Sequence, residues 1–379
     1  MTDTRLLDQG TAPLRFARGW HCLGLAADFR DGKPHAIEGF GTKLVVWQDS
    51  KGELNVLDGY CRHMGGDLTQ GEVKGDEVAC PFHDWRWGGD GKCKQIPYAR
   101  RVPLRARTQR YETAVRNGQL LIWNDPEGSA ADHDLLPPEL PDVMTEKYTP
   151  WSWHVRQING SHCRELIDNV ADMAHFYYVH FAFPTSFRNV FDGNTATQFM
   201  ESKGRPDMSG GYGDEDSMLK SVATYYGPSY MINWLEVDYK GFVTEVILIN
   251  CHIPTGPESF TLQYGIAVRK PEGLDEKTVN YIAEKYTESF GDGFLQDVAI
   301  WENKVAVQNP LLCEEDGPVY QLRRWYEQFY VDVADIKPEM VDRFEFEVDT
   351  TKANEFWHAE VAENLAKVAA ETAGTPADA

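Results

Sequence analysis

The chain has 379 residues, 42% of them hydrophobic, and its 59 acidic and 37 basic side chains give a formal net charge of −22. This length predicts two or three domains whose apolar cores need no disulfide to hold them together. So negative a charge repels phosphate backbones and anionic lipids, which excludes nucleic acid and membrane surfaces as expected partners and favours a basic protein instead.

The sequence carries no recognisable membrane or export signal. No run of eighteen apolar residues occurs, and residues 1–5 lack the apolar segment of a signal peptide. The seven cysteines are Cys22, Cys61, Cys80, Cys93, Cys163, Cys251 and Cys313. An odd and scattered set is typical of a reducing compartment rather than of a disulfide framework. We therefore expect a cytoplasmic protein.

Short β-segments separated by turns are predicted up to about residue 125. They cover residues 43–48, 54–57, 77–79 and 120–123. We expect a small all-β domain with loops at its hairpin ends. His21 and Cys22, ahead of these segments, are expected to be a buried pair, because no second pair with ligand spacing follows nearby.

Two pairs of metal-binding residues lie in this region. Cys61 and His63 are followed, after sixteen residues, by Cys80 and His83. Two Cys and two His suit a tetrahedral zinc ion or a Rieske 2Fe-2S cluster, in which two thiolates bind one iron and two imidazoles the other. Each half supplies one Cys and one His and is followed by glycines, which permit close backbone approach to sulfur. This arrangement favours the Rieske cluster, with a structural zinc site as the alternative.

A polar and proline-rich run at residues 125–141 can continue neither a sheet nor a helix, so it marks a domain boundary. We expect a first domain with its linker at 1–140, a second domain at 141–368 and a disordered tail at 369–379. Beyond the boundary, strands are predicted at 221–226, 231–239, 242–253 and 260–268, and helices at 164–180, at 275–308 with a break at 291–293, and after Pro338. An antiparallel sheet gripping long helices suits this order, so the expected fold class is α+β.

Two histidines in the predicted helix at 164–180 are candidates for a second metal site. Asp168, Asp172 and His175 share one helical face, whereas His180 is turned by about 140° from His175 on a regular helix. Both imidazoles can reach one ion only if the helix ends or bulges between them. Two His and one carboxylate form the facial triad of non-heme Fe(II) oxygenases, and an electron-delivering cluster upstream favours iron here over a structural role.

The carboxylate of that triad is expected from the second long helix. Phe294, Val298, Trp301 and Val305 form an apolar stripe, and Asp297 lies within it. A buried carboxylate needs a cation, which an iron ion on the two histidines would supply; pairing with an arginine or lysine is the alternative. The rival carboxylates, each less well placed, are Asp168, Asp292 and Glu302.

Two further polar residues have predicted roles. Asp172, one turn before His175, can hydrogen-bond the ring N–H of that histidine and face a second imidazole, so it is the candidate bridge between the two metal centres. Asn250 lies in a strand apolar enough to be buried on both faces, so its amide needs a polar partner. That partner is either another protein group or a substrate held in a cavity near Asp297.

These motifs resemble those of the Rieske non-heme iron oxygenases over essentially the whole chain, to about residue 365. The resemblance rests on Cys-x-His and Cys-x-x-His, on Asp-x-x-His-x-x-x-x-His and on a distant Asp. Within that family, residues 80–97, 203–207, 248–254 and 296–301 resemble the oxygenase components of 3-ketosteroid 9α-hydroxylases. Asp84 departs from the glycine usual after the second cluster histidine in ring-hydroxylating relatives but fits this subfamily.

The resemblance implies a Rieske domain and a helix-grip catalytic domain, assembled as a head-to-tail homotrimer. It implies that electrons from NADH pass through a flavin and iron–sulfur reductase to a 2Fe-2S cluster on the Cys and His residues named above. They would then cross a subunit interface by way of Asp172 to an iron held by His175, His180 and Asp297. There O2 would be activated and one oxygen atom inserted at C9 of a 3-ketosteroid, in the degradation of steroids such as cholesterol.

Two alternatives stay open on the sequence alone. The first is a Rieske monooxygenase or desaturase for another sterol or hydrophobic substrate. The second is a non-catalytic Rieske electron carrier fused to a lipid-binding domain, in which His175 and His180 are structural; three irons per chain favour the oxygenase and two favour the carrier. The candidate pocket residues are Phe176, Tyr177, Tyr178, Phe181, Phe294 and Trp301.

Overall fold

The computed structural model describes residues 8, 10–208 and 217–374, which form an N-terminal all-β part and a larger part built on one long antiparallel sheet. The N-terminal strands are β1 (Gly19–Leu25), β2 (His35–Gly39), β3 (Thr42–Gln48), β4 (Leu54–Asp58), β5 (Glu72–Lys74), β6 (Glu77–Ala79), β7 (Arg86–Gly88), β8 (Cys93–Gln95), β9 (Arg110–Tyr111), β10 (Thr113–Arg116) and β11 (Gln119–Asn124). The C-terminal strands are β12 (Ser152–Asn159), β13 (Ala182–Asp192), β14 (Thr195–Gly204), β15 (Ser217–Tyr226), β16 (Tyr230–Tyr239), β17 (Phe242–Gly256), β18 (Ser259–Val268) and β19 (Phe344–Glu347). The helices are α1 (Arg164–Ile167), α2 (Ala174–Tyr178), α3 (Glu276–Trp301), α4 (Val319–Glu327), α5 (Pro338–Val341) and α6 (Thr351–Gly374).

Three small antiparallel sheets make up the N-terminal part, in the orders β1-β11-β10, β2-β3-β4-β9 and β5-β6-β7-β8. The four β-segments predicted from sequence lie in β3, β4, β6 and β11. The strand β1 was not predicted; it pairs with β11 and carries His21 and Cys22, which are buried as expected. The two loops with the predicted cluster ligands join β4 to β5 and β6 to β7, so the small sheets bring them together.

The C-terminal part is an eight-stranded antiparallel sheet in the order β12-β18-β17-β16-β15-β14-β13-β19. Inward-facing side chains alternate along its strands, and the long helix α3 packs on the inner face against β18, where the rings of Phe294 and Tyr264 lie 4.5 Å apart. A long helix held against an antiparallel sheet is the helix-grip arrangement, so the predicted α+β fold is confirmed.

Both helices predicted around the second metal site differ from expectation. The helix predicted at 164–180 is broken into α1, a 3-10 turn at Asp168–Val170 and α2, which ends before His180. The predicted break at 291–293 is absent, because α3 continues through both glycines and ends at Trp301. Packing on the sheet outweighs the cost of about 1 kcal/mol per helical glycine. Val305 therefore lies beyond the helix, half-exposed, and not in its buried stripe.

Four strands of the large sheet, β12, β13, β14 and β19, were not predicted. Their polar residues alternate with small and aromatic ones, so they lack the apolar runs that marked β16 to β18. At the C-terminus the structure has α6 through Gly374, where a disordered tail was predicted from Ala369; the remainder of that tail, 375–379, lies outside the described residues.

The two parts of the chain share a core. Trp20 and Cys22 on β1 pack with Tyr230 and Ile249 of the large sheet, together with other buried residues of β11, β16 and β17. Ser229 donates a hydrogen bond to the Trp20 carbonyl at 2.9 Å across this contact. Within residues 8, 10–208 and 217–374, no helix has both the length and the apolar character that crossing a membrane requires.

Candidate metal centres and cavity

The two N-terminal loops place Cys61, His63, Cys80 and His83 at one end of the all-β part. The rings of His63 and His83 lie 4.8 Å apart, and both thiols are buried. Each loop is closed by its own backbone, since the Gly65 N–H donates to the Cys61 carbonyl and the Asp84 N–H to the Cys80 carbonyl, both at 2.9 Å. The four side chains are therefore brought together as the spacing predicted.

The backbone around the sulfurs is shaped for a bound group. A Cβ atom on Gly66 would lie 2.7 Å from Cys80 Sγ, so only glycine fits there. Asp84 has a left-handed φ of 54°, a conformation that glycine adopts freely and aspartate tolerates. Its carboxylate also pairs with Lys74 at 3.0 Å and Arg86 at 3.0 Å, which explains how an acidic residue occupies this position.

Neighbouring tryptophans, which sequence reasoning did not assign, complete this site. Trp87 donates its indole N–H to Cys61 Sγ at 3.3 Å, and Trp85 stacks on the His63 ring at 4.5 Å. Burial raises the pKa of the Cys61 thiol above its ordinary value. The hydrogen bonds from the His63 backbone and Trp87 oppose this increase only in part. His83 Nδ1 is buried without a hydrogen-bond partner. Donors aimed at sulfur and an unpartnered ring nitrogen fit a metal cluster better than a free thiol pair.

The second centre joins His175, His180 and Asp297, whose ligand atoms all lie within 4.8 Å of one another. His180 Nε2 lies 3.2 Å from Asp297 Oδ2, and the two imidazole centroids are 5.2 Å apart. The end of α2 at Tyr178, two residues before His180, lets both imidazoles face the same point. The spacing of the two histidines predicted such an interruption if both bind one ion.

The surroundings of these three residues suit a metal ion. His175 Nδ1 lies 2.7 Å from the carbonyl oxygen of Asp172, which leaves Nε2 for an ion. Asn169 donates to Asp297 Oδ1 at 3.2 Å, and His180 Nδ1 is buried without a partner. No arginine or lysine among the described residues pairs with Asp297. Two imidazoles and a carboxylate with open positions are a ligand set typical of non-heme iron.

The rival carboxylates are placed elsewhere. Asp168 forms a bidentate ion pair with Arg323, at 3.0 and 2.6 Å. Asp292 is exposed on α3, and Glu302 is exposed at the end of that helix. Asp292 does not belong to a helix break, as had been expected, but to the solvent side of a continuous helix. None of the three reaches the histidines.

Asp172 lies beside His175 but does not bond its ring in the expected way. Its carboxylate stays 3.8 Å from His175 Nδ1, and the main-chain carbonyl makes the close contact instead. Although burial raises the pKa of the Asp172 carboxyl, the charge and hydrogen bonds of His175 outweigh it, and the pKa is lowered. The side chain is 44% exposed, so it stands between the histidine and the surface.

A cavity opens beside the second centre, between α3 and the inner face of the sheet. Phe176, Phe294 and Trp301 line it, whereas the other candidate pocket residues, Tyr177, Tyr178 and Phe181, do not. It has about 100 Å³ of free space, less than the roughly 300–1,000 Å³ of typical ligand sites. Flexible side chains such as Met200 and Met231 in its wall can move to admit a larger molecule.

Besides the three metal-site residues and Asn169, four polar side chains interrupt this apolar wall. Asn250 is 4% exposed, and its Oδ1 has no hydrogen-bond partner, so no group of the described protein satisfies it. Gln198 also has an unpartnered atom, Nε2, while Ser221 donates to Asn233 at 2.8 Å. Sequence reasoning missed Gln198, although it shares an inward-facing register with Ala196 and Met200 on β14.

Two protein-family models match this chain. The Rieske [2Fe-2S] domain matches residues 19–129, and the 3-ketosteroid 9alpha-hydroxylase C-terminal domain matches residues 122–330, more than half of the chain. The chain belongs to the 3-ketosteroid 9α-hydroxylase family. The Rieske match decides between the two metals considered for the first centre, in favour of a 2Fe-2S cluster over zinc.

Relatives within the 3-ketosteroid 9α-hydroxylase family align with nearly the whole chain. The chain is 62% identical to a 3-ketosteroid-9-alpha-monooxygenase oxygenase component of Rhodococcus rhodochrous over 96% of both proteins. It is 59% identical to a protein of the same name from Mycobacterium tuberculosis, again over 96% of each. Membership in this monooxygenase family establishes a Rieske cluster, a mononuclear iron and O2 as cosubstrate.

A solved structure with the same fold is dicamba monooxygenase bound to 3,6-dichlorosalicylic acid. It covers 84% of this chain and 99% of its own, with a TM-score of 0.66 at 18% identity. At so low an identity the likeness concerns the fold alone. It shows that this member of the 3-ketosteroid 9α-hydroxylase family keeps a Rieske oxygenase architecture.

Proposed function

We propose that this chain is the oxygenase component of a two-component 3-ketosteroid 9α-monooxygenase. It would receive electrons from NADH through a separate flavin and iron–sulfur reductase and hydroxylate a 3-ketosteroid at C9 with O2. The observation that carries the proposal is the 62% identity to an oxygenase component of that name over 96% of both chains.

In this proposal each centre has its own residues. Cys61, His63, Cys80 and His83 hold the 2Fe-2S cluster within a domain that ends with the linker at residue 140. The ligands of the mononuclear iron are His175, His180 and Asp297, all in the domain at 141–368. When bound, the cluster supplies single electrons and the iron activates dioxygen.

The chain's own part in the reaction is to orient the substrate and to exclude water. Leu219, Leu235 and Leu248 give the cavity an apolar wall that suits a steroid ring system. Asn250 is proposed to orient the substrate, which is supported by its unpartnered Oδ1 in the cavity wall. One hydrogen bond accepted by such a group is worth about 1 kcal/mol, enough to select a pose among similar apolar ones.

We propose that Asp172 connects the two centres across a subunit boundary. Its half-exposed carboxylate borders a depression lined by the exposed Leu311 and Leu312, which supports contact with another chain. On the other domain, Met64 and Phe82 are 64% and 59% exposed beside the cluster residues. Two different surfaces of one chain make a heterologous contact, which closes most simply as a homotrimer. The location proposed for this assembly is the cytoplasm.

Metal content together with NADH consumption tests the function. Anaerobically purified protein should contain three irons and two acid-labile sulfides per chain, and its reduced cluster should give a rhombic EPR signal. A 3-ketosteroid should then stimulate NADH oxidation by the reductase mixture. Two irons per chain and no steroid stimulation would instead identify an electron carrier with a lipid-binding domain.

A further inference from the structure

The segment between the two predicted iron-binding histidines is short and irregular. The N–H of Val179 donates to the His175 carbonyl at 2.7 Å, and α2 ends at Tyr178, two residues before His180. Carbonyl groups at a helix C-terminus lack intrahelical partners. The relative position of the two imidazoles therefore depends on contacts from outside this segment.

Arg205 provides one such contact from the end of β14. Its Nη1 donates to the Tyr177 carbonyl at 3.1 Å, and its guanidinium lies 4.0 Å from the centroid of the Tyr177 ring. Its Nε and Nη2 donate to the two carboxylate oxygens of Asp207 at 2.9 Å each. The guanidinium is thus fixed by a bidentate pair and uses its remaining nitrogen to hold the main chain between the histidines.

Helix α6 provides the second contact, through one face. Trp357 stacks on the Tyr177 ring with centroids 4.6 Å apart and planes 10° apart, and its indole N–H donates to Tyr178 Oη at 3.3 Å. Glu360, one turn further along α6, lies 4.0 Å from Arg205. Asn364, two turns further along, donates to Asp207 at 2.8 Å. Residues spaced by three, four and seven share a helical face.

We propose that Arg205 and Trp357 are positioning residues for the mononuclear iron, acting through Tyr177. The two side chains fix both the ring and the carbonyl of a residue that is buried completely and lies two positions after one ligand and three before the other. This inference rests on the proposed function, because it requires His175 and His180 to bind iron. It gives the C-terminal helix, far from the cavity lining in sequence, a role in metal binding.

Measuring the affinity for iron tests the inference, since mutation of outer-shell partners of metal ligands typically lowers metal affinity 10- to 100-fold. The measurement is an anaerobic Fe(II) titration of full-length protein whose cluster is intact, with the cluster's visible spectrum recorded in each sample. Trp357→Leu should weaken Fe(II) binding about 10-fold or more and leave the cluster spectrum unchanged. Trp357→Phe, which keeps a ring on Tyr177, should restore most of the affinity.

A matched control separates positioning from general stability. Val361 is buried on the same face of α6, one turn after Trp357, and has neither a ring nor a hydrogen bond to the segment. Val361→Ala should lower the melting temperature while Fe(II) affinity stays at the wild-type value. If Val361→Ala and Trp357→Leu weaken Fe(II) binding in proportion to their loss of stability, the helix has only a structural role and the inference is overturned.

Arg205→Lys gives a second test that keeps a positive charge beside Asp207. A lysine cannot form the bidentate pair and hold the Tyr177 carbonyl together, so Fe(II) binding should weaken here as well. Wild-type affinity in both Arg205→Lys and Trp357→Leu would overturn the inference and leave the proposed function intact. A wild-type chain that binds no Fe(II) beyond its cluster would overturn both.

Discussion

Asp172 contributes both a main-chain carbonyl and a charged side chain, and its sequence position alone does not show which of the two acts on His175. Its main-chain carbonyl fixes the His175 ring through Nδ1 at 2.7 Å, while its half-exposed carboxylate accepts the His175 main-chain N–H at 3.2 Å. The first feature belongs to metal binding and depends on the backbone. The second depends on the negative charge, through which we propose that Asp172 connects the two centres.

Substituting Asp172 by asparagine should therefore separate the two functions. Asp172→Asn keeps the carbonyl and the size of the side chain, so iron and cluster contents should equal those of wild type. Removing the charge should lower steroid turnover at least about 10-fold. Metal analysis and product formation measure the two effects; turnover near wild type would place the electron path elsewhere.

For Asn250 we predict that substitution leaves stability unchanged, because its Oδ1 makes no hydrogen bond that could be lost. Replacing a group that makes no hydrogen bond by an apolar one of similar shape costs little stability. Asn250→Leu should keep its melting temperature, while product per NADH falls and peroxide release rises.

Gln328 supplies the control for that prediction. Its buried amide donates to the carbonyls of Gly193, Trp325 and Met340, away from the cavity. Gln328→Leu should lower the melting temperature and keep product per NADH unchanged. Equal coupling in Asn250→Leu and wild type would remove Asn250 from the site.

At the scale of elements, the ligand segments and the interruption between the two histidines were predictable, whereas the residues that support the ligands were not. The spacing of His175 and His180 demanded an interruption, and the apolar stripe around Asp297 required a cation nearby. Asn169, which positions Asp297, and Trp87, which donates to Cys61, carry no periodic signal because their roles arise only from tertiary contacts. Polar strands such as β14 were missed because they lack an apolar run.

The continuity of α3 leads to a stability prediction at Gly291. The residue is helical, and a Cβ there would lie 3.9 Å from Ile266, an ordinary van der Waals contact. Gly291→Ala should raise the free energy of unfolding by about 0.5–1 kcal/mol, because alanine loses less backbone entropy on folding.

A glycine in a turn provides the contrast. Gly193 has a left-handed φ of 55°, so Gly193→Ala should destabilise the protein. Denaturant unfolding of both variants measures the difference. Destabilisation by Gly291→Ala would mean that the chain leaves helical geometry there, as its sequence had suggested.

At the scale of the whole molecule, we propose that electrons pass between chains. A cluster-deficient variant, Cys80→Ser, and an iron-deficient variant, His175→Ala, should each be inactive alone. Co-expressed with two different tags and purified through both, they should recover part of the wild-type turnover, because one chain supplies the cluster and its neighbour the iron.

The same mixed sample distinguishes the alternative. If each chain transfers electrons to its own iron, the doubly tagged oligomer will stay as inactive as its components. Light scattering should give the mass of three chains, and a fully active monomer would contradict the proposed interface.

The proposed C9 hydroxylation is tested most directly by a single-product assay under ¹⁸O₂. Protein replete in cluster and iron, supplied with its reductase, NADH and a 3-ketosteroid, should form one hydroxylated steroid whose mass is increased by one ¹⁸O atom and whose hydroxyl is at C9. A desaturated product without added oxygen, or no product while the reductase demonstrably reduces the cluster, would contradict the account.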